Sequence, residues 1–417
     1  MTTQLNTLHI GIDAHSRNNV VCFLDQAGNV VNKAFSFENN LPGAQKLEDS
    51  VCAFMATGKY DSLKIATEAV SLYHIPLLDF LSASKKLAQY EIEIFQLNPK
   101  IVKGFKKIYA DKNKTDKDDA FVIADRLRIG RLPKPYYHNE PYAPIRRLTR
   151  YRCHLVESIN REKNYFLLHL FLKYSSFSAL KPFSNTFGKT SLAIILEEIS
   201  LDDLAKKPME DLVDFICVHG RNHFEDPHQI AEKVKQVARE SYRIRPALAN
   251  SINLILTTSW HNIKTMTTAL KDVNKAIAVE LQGFPNTLES VQGLGPVYSA
   301  GIIAEIGSIK NFASHNALAK FAGLTWRQNE SSDFKAEITK MTKTGNKHLR
   351  YYLLEAANLL RVHNKIYADY YASKLREVKL HRHKRAVALT ARKLVRLVFS
   401  LLKNQQLYQP SRESRCQ

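Results

Sequence analysis

The sequence predicts a mixed α/β sheet domain followed by a long helical stalk and a mostly helical C-terminal domain, with limits at 1–142, 143–284 and 285–417. Three observations lead there. Short apolar runs of β type come first in a meander and later alternate with helical stretches. Two long amphipathic stretches, about Ala143–Tyr174 and Ala247–Leu281, then flank a Pro-punctuated middle. Finally, a glycine turn, a polar loop and basic helices run to about Asn404.

The first strands are LHIGID, NVVCFLD and VVNKAFSF, the last two joined by a turn at Gln26-Ala27-Gly28-Asn29. A helix from about Pro42 to Ala56 leads to the strand KIATEAV, the helix IPLLDFLSASKKL and the strand EIEIFQLNP. The run DKNKTDKDDAFVIADRLRIGRL starts polar and becomes helical, with Phe121, Val122, Ala124 and Leu127 as its apolar face and Gly130 as its stop. Between Ala143 and Tyr174 there is no Gly and only Pro144 at the start, while Arg147, Arg150, Arg152 and Arg161 interleave with Leu148, Leu155, Ile159, Phe166 and Leu167. This stretch and Ala247–Leu281 suggest a coiled-coil hairpin or dimerisation stalk. The residues between them, punctuated by Pro182, Pro208 and Pro227, read as an inserted helical subdomain.

The 417 residues carry 60 Lys+Arg against 40 Asp+Glu, a formal charge of +20, and 45% of them are hydrophobic. That is a globular composition, so the excess charge sits on folded surfaces rather than on a disordered tail. No apolar run is long enough for a membrane span, and MTTQLNTLHIGID lacks the form of a secretory signal, which makes a cytoplasmic protein the expectation. Cys22, Cys52, Cys153, Cys217 and Cys416 form no CxxC pair, which disfavours a disulfide framework or a zinc knuckle. The leading partner class is nucleic acid, with a ribosome-associated or anionic-membrane protein as the competitor.

Asp13 ends the first strand and Glu68 follows KIAT; Asp116 and Asp119 stand three apart at a helix start, on one face. Mg²⁺ takes oxygen ligands, and two ions about 4 Å apart can flank a phosphodiester, so carboxylates from two strands and a helix turn suit that chemistry in a basic protein. The same acids could serve merely as turn residues and as complements to a helix dipole. HIGIDAHSRNNVVCFLDQAGNVV, TEAVSLY and KTDKDDAFVIADRLR resemble the RuvC-like, RNase H-type domain of the insertion-sequence-110 family of transposases. The resemblance places the family's acid quartet on Asp13, Glu68, Asp116 and Asp119, leaving Asp111, Asp118 and Asp125 as solvated or capping residues. Where the family usually has Gly after EAT, this chain has Ser71 in EAVSLY.

In the second half, LESVQGLGPVYSAGIIAEIG has the form of a helix-hairpin-helix whose Gly293–Gly295 turn can offer N–H groups to a phosphate; an ordinary tight turn would read the same way. Ser331 and Ser332 lie in a polar loop among Arg327, Lys335, Lys340, Lys343 and Lys347, and local chemistry alone would not single them out. GLTWRQNES and KTGNKHLR resemble the C-terminal transposase domain of the same family, which puts its serine nucleophile on Ser331. Ser332 then stands for the family's Gly and Trp326 for its Pro. Beyond the loop, Arg350, Arg382, Lys384, Arg385, Arg392 and Lys393 recur at helical spacing suited to phosphates, whereas Tyr351, Tyr352, Tyr370 and Tyr371 read as packing residues.

The resemblance implies a transposase or site-specific recombinase of an insertion sequence. Ser331 would attack DNA to give a phosphoserine link, with Asp13, Glu68, Asp116 and Asp119 binding Mg²⁺. It also implies donor and target DNA, a structured bridge RNA that pairs with both, and a composite active site in a homodimer or homotetramer associated with the nucleoid. The rivals are a metal-dependent nuclease of the Holliday-junction type that uses water, a degenerate nucleic-acid-binding relative, and a DNA invertase of the same family.

Overall fold

A computed structural model describes residues 6–109, 115–136, 140–197, 199–326 and 341–410, with the backbone of 330–331 and 334–335. The chain divides into two compact units, Met1–Pro141 and Tyr142–Gln417.

In the first unit, β1 (Thr7–Ala14), β2 (Asn18–Leu24) and β3 (Val30–Glu38) form an antiparallel meander. Helix α1 (Leu41–Met55) crosses to β4 (Ser62–Glu68), parallel to β1, and α2 (Ile75–Ser82) leads to β5 (Glu91–Leu97), parallel to β4. The order β3-β2-β1-β4-β5 makes a mixed sheet consistent with an RNase H-like domain. Two further helices complete the unit, α3 (Pro99–Lys106) and α4 (Asp116–Arg128).

Alternation along the strands decides which face meets which helix. Leu8, Ile10 and Ile12 point to one side, where they are fully buried with Leu47, Val51 and Leu78 of α1 and α2. On the other side Val20, Cys22 and Leu24 meet Ala120 and Ala124 of α4. Gly11 lets α4 approach so closely: a Cβ there would stand 2.2 Å from the Ala120 carbonyl oxygen. Helix α3 was not expected as a separate element, although Asn98 as its cap and Pro99 at its first turn form a recognisable start signal.

The second unit opens with the 31-residue α5 (Ala143–Lys173). It continues through α6 (Phe177–Leu180), α7 (Lys189–Leu196), α8 (Leu201–Lys206), α9 (Met209–Gly220) and α10 (Pro227–Glu240) to the 36-residue α11 (Pro246–Leu281). Helices α5 and α11 pack antiparallel, because Ile145 shares a core with Ile277 and Leu281 while Phe166 shares another with Ile252 and Leu256. That second core also holds Ile195, Leu204, Ile216 and Val237, so the short middle helices gather around the far end of the helix pair.

The rest comprises α12 (Pro296–Ile306), α13 (His315–Ala322), the two-residue strands β6 (Glu330–Ser331) and β7 (Phe334–Lys335), α14 (Lys347–His363), α15 (Lys365–Arg376) and α16 (Arg382–Asn404). Leu353, Ala357, Leu394 and Val398 bury their helix faces in one core with the root of α5 and α11. Gly301 lies flat against Tyr352, whose ring carbons would come within 2.4 Å of an added Cβ. The Tyr352 hydroxyl donates to the Thr149 carbonyl at 2.7 Å, which ties α14 to α5. Before α12, the Gly293–Gly295 turn is preceded by a single 3-10 turn, Leu288–Ser290. Among the described residues no helix is long and apolar enough to cross a membrane.

Candidate active site

Asp13 and Glu68 stand together at one edge of the sheet, the one formed by the C-terminal ends of its central strands, because β1 and β4 are parallel neighbours, with Ile12 opposite Thr67. Asp116 and Asp119 come to that edge on the first turn of α4, whose start is set by Thr115 accepting from the Asp118 N–H at 3.2 Å. Ligand atoms of Asp13, His15 and Asp116 all lie within 4.8 Å of one another. His15 Nε2 is 3.1 Å from Asp13 Oδ2 and 3.8 Å from Asp116 Oδ1, and Lys106 of α3 pairs with Asp119. Asn39 holds the surrounding loops, its Nδ2 donating to His15 O at 2.7 Å and Tyr73 O at 3.1 Å. At the position where the family has Gly, Ser71 Oγ accepts from the Tyr73 N–H at 3.2 Å and makes the turn with its side chain.

Glu68 and Asp119 are outside that close group of Asp13, His15 and Asp116, but Asp119 acts by charge on both Asp13 and Glu68. Burial raises the Asp13 pKa; His15 pulls it back by charge and hydrogen bond, and Asp119 and Asp116 push it up again. Burial likewise raises Glu68, reinforced by the charges of Asp13 and Asp119 and opposed by Lys106. Mutually repelling carboxylates, with His15 beside them, are a fit for a divalent cation, which would relieve the repulsion that Lys106 now offsets in part.

Not every nearby acid belongs to this edge. Asp118 lies in the first turn of α4, its Oδ2 accepting from the hydroxyl of the Thr115 cap at 2.6 Å. Asp125, expected to be solvated or capping, is instead buried, and accepts from Tyr109 and from Arg128 Nε at 2.7 Å. Its helix position faces Tyr109, which the chain reaches only by folding α3 back on α4. Asp111 lies outside the described residues.

Ser331 falls in β6, where it is opposite Phe334 of β7. The segment leaves and returns at one place: Trp326 bridges Met341, the Thr342 N–H donates to Thr325 O at 2.8 Å, and the two threonine hydroxyls are 3.1 Å apart. Two glycines permit this closure. Gly323 (φ +69°) and Gly345 (φ +98°) sit where a Cβ would meet Thr344 O at 2.1 Å and Phe321 O at 2.2 Å. Ser332, Arg327 and Lys340 lie outside the described residues.

The candidate nucleic-acid contacts fall into two groups. Lys343, Lys347, Arg382 and Lys384 are exposed, with Arg382 Nε also donating to Leu375 O at 3.0 Å. The others are engaged within the fold: Arg350 Nη1 donates to Ala322 O at 3.0 Å, Arg385 Nη1 to Glu377 Oε2 at 2.9 Å and Arg392 Nη2 to Asn316 Oδ1, while Lys393 Nζ lies 5.0 Å from the Tyr370 ring centroid. Gly293 has φ +99°, suited to the turn, and Gly295 caps α12 with open space at its Cα. On α5, Arg150 pairs with buried Glu305 and Arg152 is buried against Asn274 and Tyr298. Those two arginines bond within the fold, and their alternation with apolar residues hid it.

Sequence reasoning missed His15, Lys106 and Glu305. His15 offered one signal, its position two residues after Asp13. The other two find their partners only through the tertiary fold.

A transposase family model of the DEDD type, named for IS110, matches residues 10–174. A second, described as transposase IS116/IS110/IS902 family, matches residues 286–372. The insertion element IS116 uncharacterized 44.8 kDa protein of Streptomyces clavuligerus is 24% identical over 314 residues, spanning 73% of this chain and 74% of that protein.

Proposed function

The chain belongs to the IS116/IS110/IS902 family of transposases, and we propose that it cuts and rejoins DNA through Ser331, served by a metal-binding quartet of Asp13, Glu68, Asp116 and Asp119. The observation that carries this reading is the convergence of the acids on one sheet edge, with Asp13 and Glu68 raised in pKa by burial and by their neighbours. Those four residues would hold Mg²⁺, which when bound supplies Lewis-acid stabilisation at the phosphodiester oxygens. His15 orients the Asp13 carboxylate by its hydrogen bond, and Lys106 does the same for Asp119.

In the cutting step, Ser331 Oγ forms a bond to phosphorus as one deoxyribose oxygen departs, and the serine proton ends on that leaving oxygen. Rejoining reverses the exchange with a hydroxyl from the other DNA partner. Exposed Lys343, Lys347, Arg382 and Lys384 would lie along phosphates, and the Gly293–Gly295 turn would offer backbone N–H groups to another. A bridge RNA that pairs with donor and target DNA would share this basic surface, on a homodimer or homotetramer. Isolating the full chain from its host and sequencing the nucleic acid bound to it tests the RNA: one structured non-coding species is expected, and random fragments would contradict it.

The competing reading is a nuclease that uses the same acids with water. A strand-cleavage assay with Ser331→Ala separates the two. Loss of cleavage supports the serine, and full cleavage supports the nuclease. The DNA around the gene separates a mobile element from an invertase acting on a fixed segment.

A further inference from the structure

The closed base of the serine segment is tied to the long helix α5 by a buried polar relay. Glu305 on α12 has 0% side-chain exposure. A carboxylate persists in such a place when its oxygens are occupied. Its Oε1 accepts from Arg150 Nε at 2.7 Å, and its Oε2 accepts from Arg150 Nη2 at 2.9 Å and from Asn346 Nδ2 at 2.6 Å.

Asn346 is the residue this arrangement controls. Its Oδ1 caps α14 by accepting from the N–H groups of His348 at 2.9 Å and Leu349 at 3.0 Å. Its backbone N–H donates to Phe321 O at 2.7 Å, four residues before the Thr325–Thr342 closure begins. An amide side chain has an acceptor end and a donor end, and the helix uses only the acceptor. Glu305, an acceptor without a proton to give, fixes which end faces the helix. The Arg150 fork in turn fixes the plane of the carboxylate.

We propose that Glu305 is a positioning residue: with Arg150 it locks Asn346, and through Asn346 the base of the segment that carries Ser331, so that the serine meets the phosphodiester in reacting geometry. The proposal rests on the reading of Ser331 as the nucleophile. It makes the stalk helix part of the apparatus that aims the serine, since Arg150 lies within α5.

The test uses the full chain with Glu305→Gln and Arg150→Ala, and with Arg150→Lys as the conservative partner. Three quantities are measured: the rate of DNA–protein adduct formation at saturating DNA, the DNA concentration giving half that rate, and amide hydrogen exchange. Because a misplacement of about 1 Å costs about a hundredfold, Glu305→Gln is expected to lower the saturated rate roughly tenfold to a hundredfold with the half-saturating DNA unchanged. Exchange at the Thr342 and Asn346 amides should accelerate while Leu353, inside α14, keeps its protection. Arg150→Lys should restore part of the rate lost in Arg150→Ala, and the Glu305→Gln, Arg150→Ala double variant should lose no more than the worse single change.

A folded Glu305→Gln protein at the full rate would overturn the proposal, as would a loss confined to DNA affinity or unchanged exchange at Thr342 and Asn346. Should the unaltered chain cleave DNA with no adduct at Ser331, the serine reading fails by itself. Positioning is then judged by exchange and by the saturated cleavage rate, which must still change together.

Discussion

At the edge of the sheet, Asp13 and Glu68 have pKa values raised by burial and by neighbouring acids, whereas Glu305, with no exposed side chain at all, is held below the ordinary carboxylate range. Burial alone would raise Glu305 as well; the Arg150 fork, Arg150's charge and the Asn346 amide reverse that. The difference lies in partners rather than depth. The sheet edge brings four acids together against one ammonium group, that of Lys106, and a hydrogen bond between Asp13 and half-exposed His15, so negative charge remains for a ligand to neutralise. Glu305 has every oxygen engaged and offers nothing to a ligand.

The sharpest way to break this comparison is to neutralise one acid on each side. Asp13→Asn should lower strand cleavage on the order of a thousandfold, as expected for loss of charge stabilisation at a reacting phosphate. It should also diminish the rise in melting temperature that Mg²⁺ produces. Near-normal cleavage by this variant would remove the sheet edge from the chemistry. Glu305→Ala should instead cost the fold about 3 kcal/mol in a denaturant titration, because it leaves Arg150 and the Asn346 amide without their acceptor. A change near zero would mean the relay holds nothing.

The pH dependence sharpens the contrast and has opposite signs in the two places. A carboxyl whose folded pKa is raised contributes stability below its unfolded pKa that is lost as pH rises through the folded value, so metal-free protein should lose the Asp13 and Glu68 contribution on leaving acid. Glu305 is depressed, so its contribution is present above the unfolded pKa and is lost as pH falls through the folded one. Melting curves from mildly acidic to neutral pH in a chelator should therefore show Asp13→Asn gaining on the unaltered chain as pH rises. A constant gap between them would contradict the assignment.

The smallest effect concerns charge distribution. Residues 341–410 carry 15 Lys+Arg against 3 Asp+Glu, while residues 175–245 carry 10 against 11. Replacing Arg382 and Lys384 by Ala should reduce the slope of log binding against log salt by about two, whereas Lys189→Ala with Lys206→Ala should leave it unchanged. Equal slopes for both pairs would mean that the middle helices also bind the polyanion.

Much of this arrangement is legible in the sequence, for identifiable reasons. HIGID alternates and then ends in an acid, KIATE also ends in one, and DKDD opens an amphipathic helix, so local pattern brings these acids forward as candidates and the family resemblance selects Asp13, Glu68, Asp116 and Asp119 among them. The long helices show through the absence of Gly, and the meander through its turns. What local pattern misses is pairing at a distance. Arg150 and Arg152 look like a basic stripe until α12 and α14 pack beside them, bringing Glu305 and Tyr351 into reach. Asp125 looks solvated until Tyr109 closes over it. Lys106 is 13 residues from its partner and meets it because α3 folds back on α4.

The most direct test of the account is to incubate the full chain with its DNA and Mg²⁺, quench under denaturing conditions, and map any covalent adduct by mass spectrometry of the digested protein. The account predicts a nucleotide phosphate on Ser331, absent from both Asp13→Asn and Ser331→Ala. Strand cleavage with no adduct, or an adduct on another side chain, would contradict it.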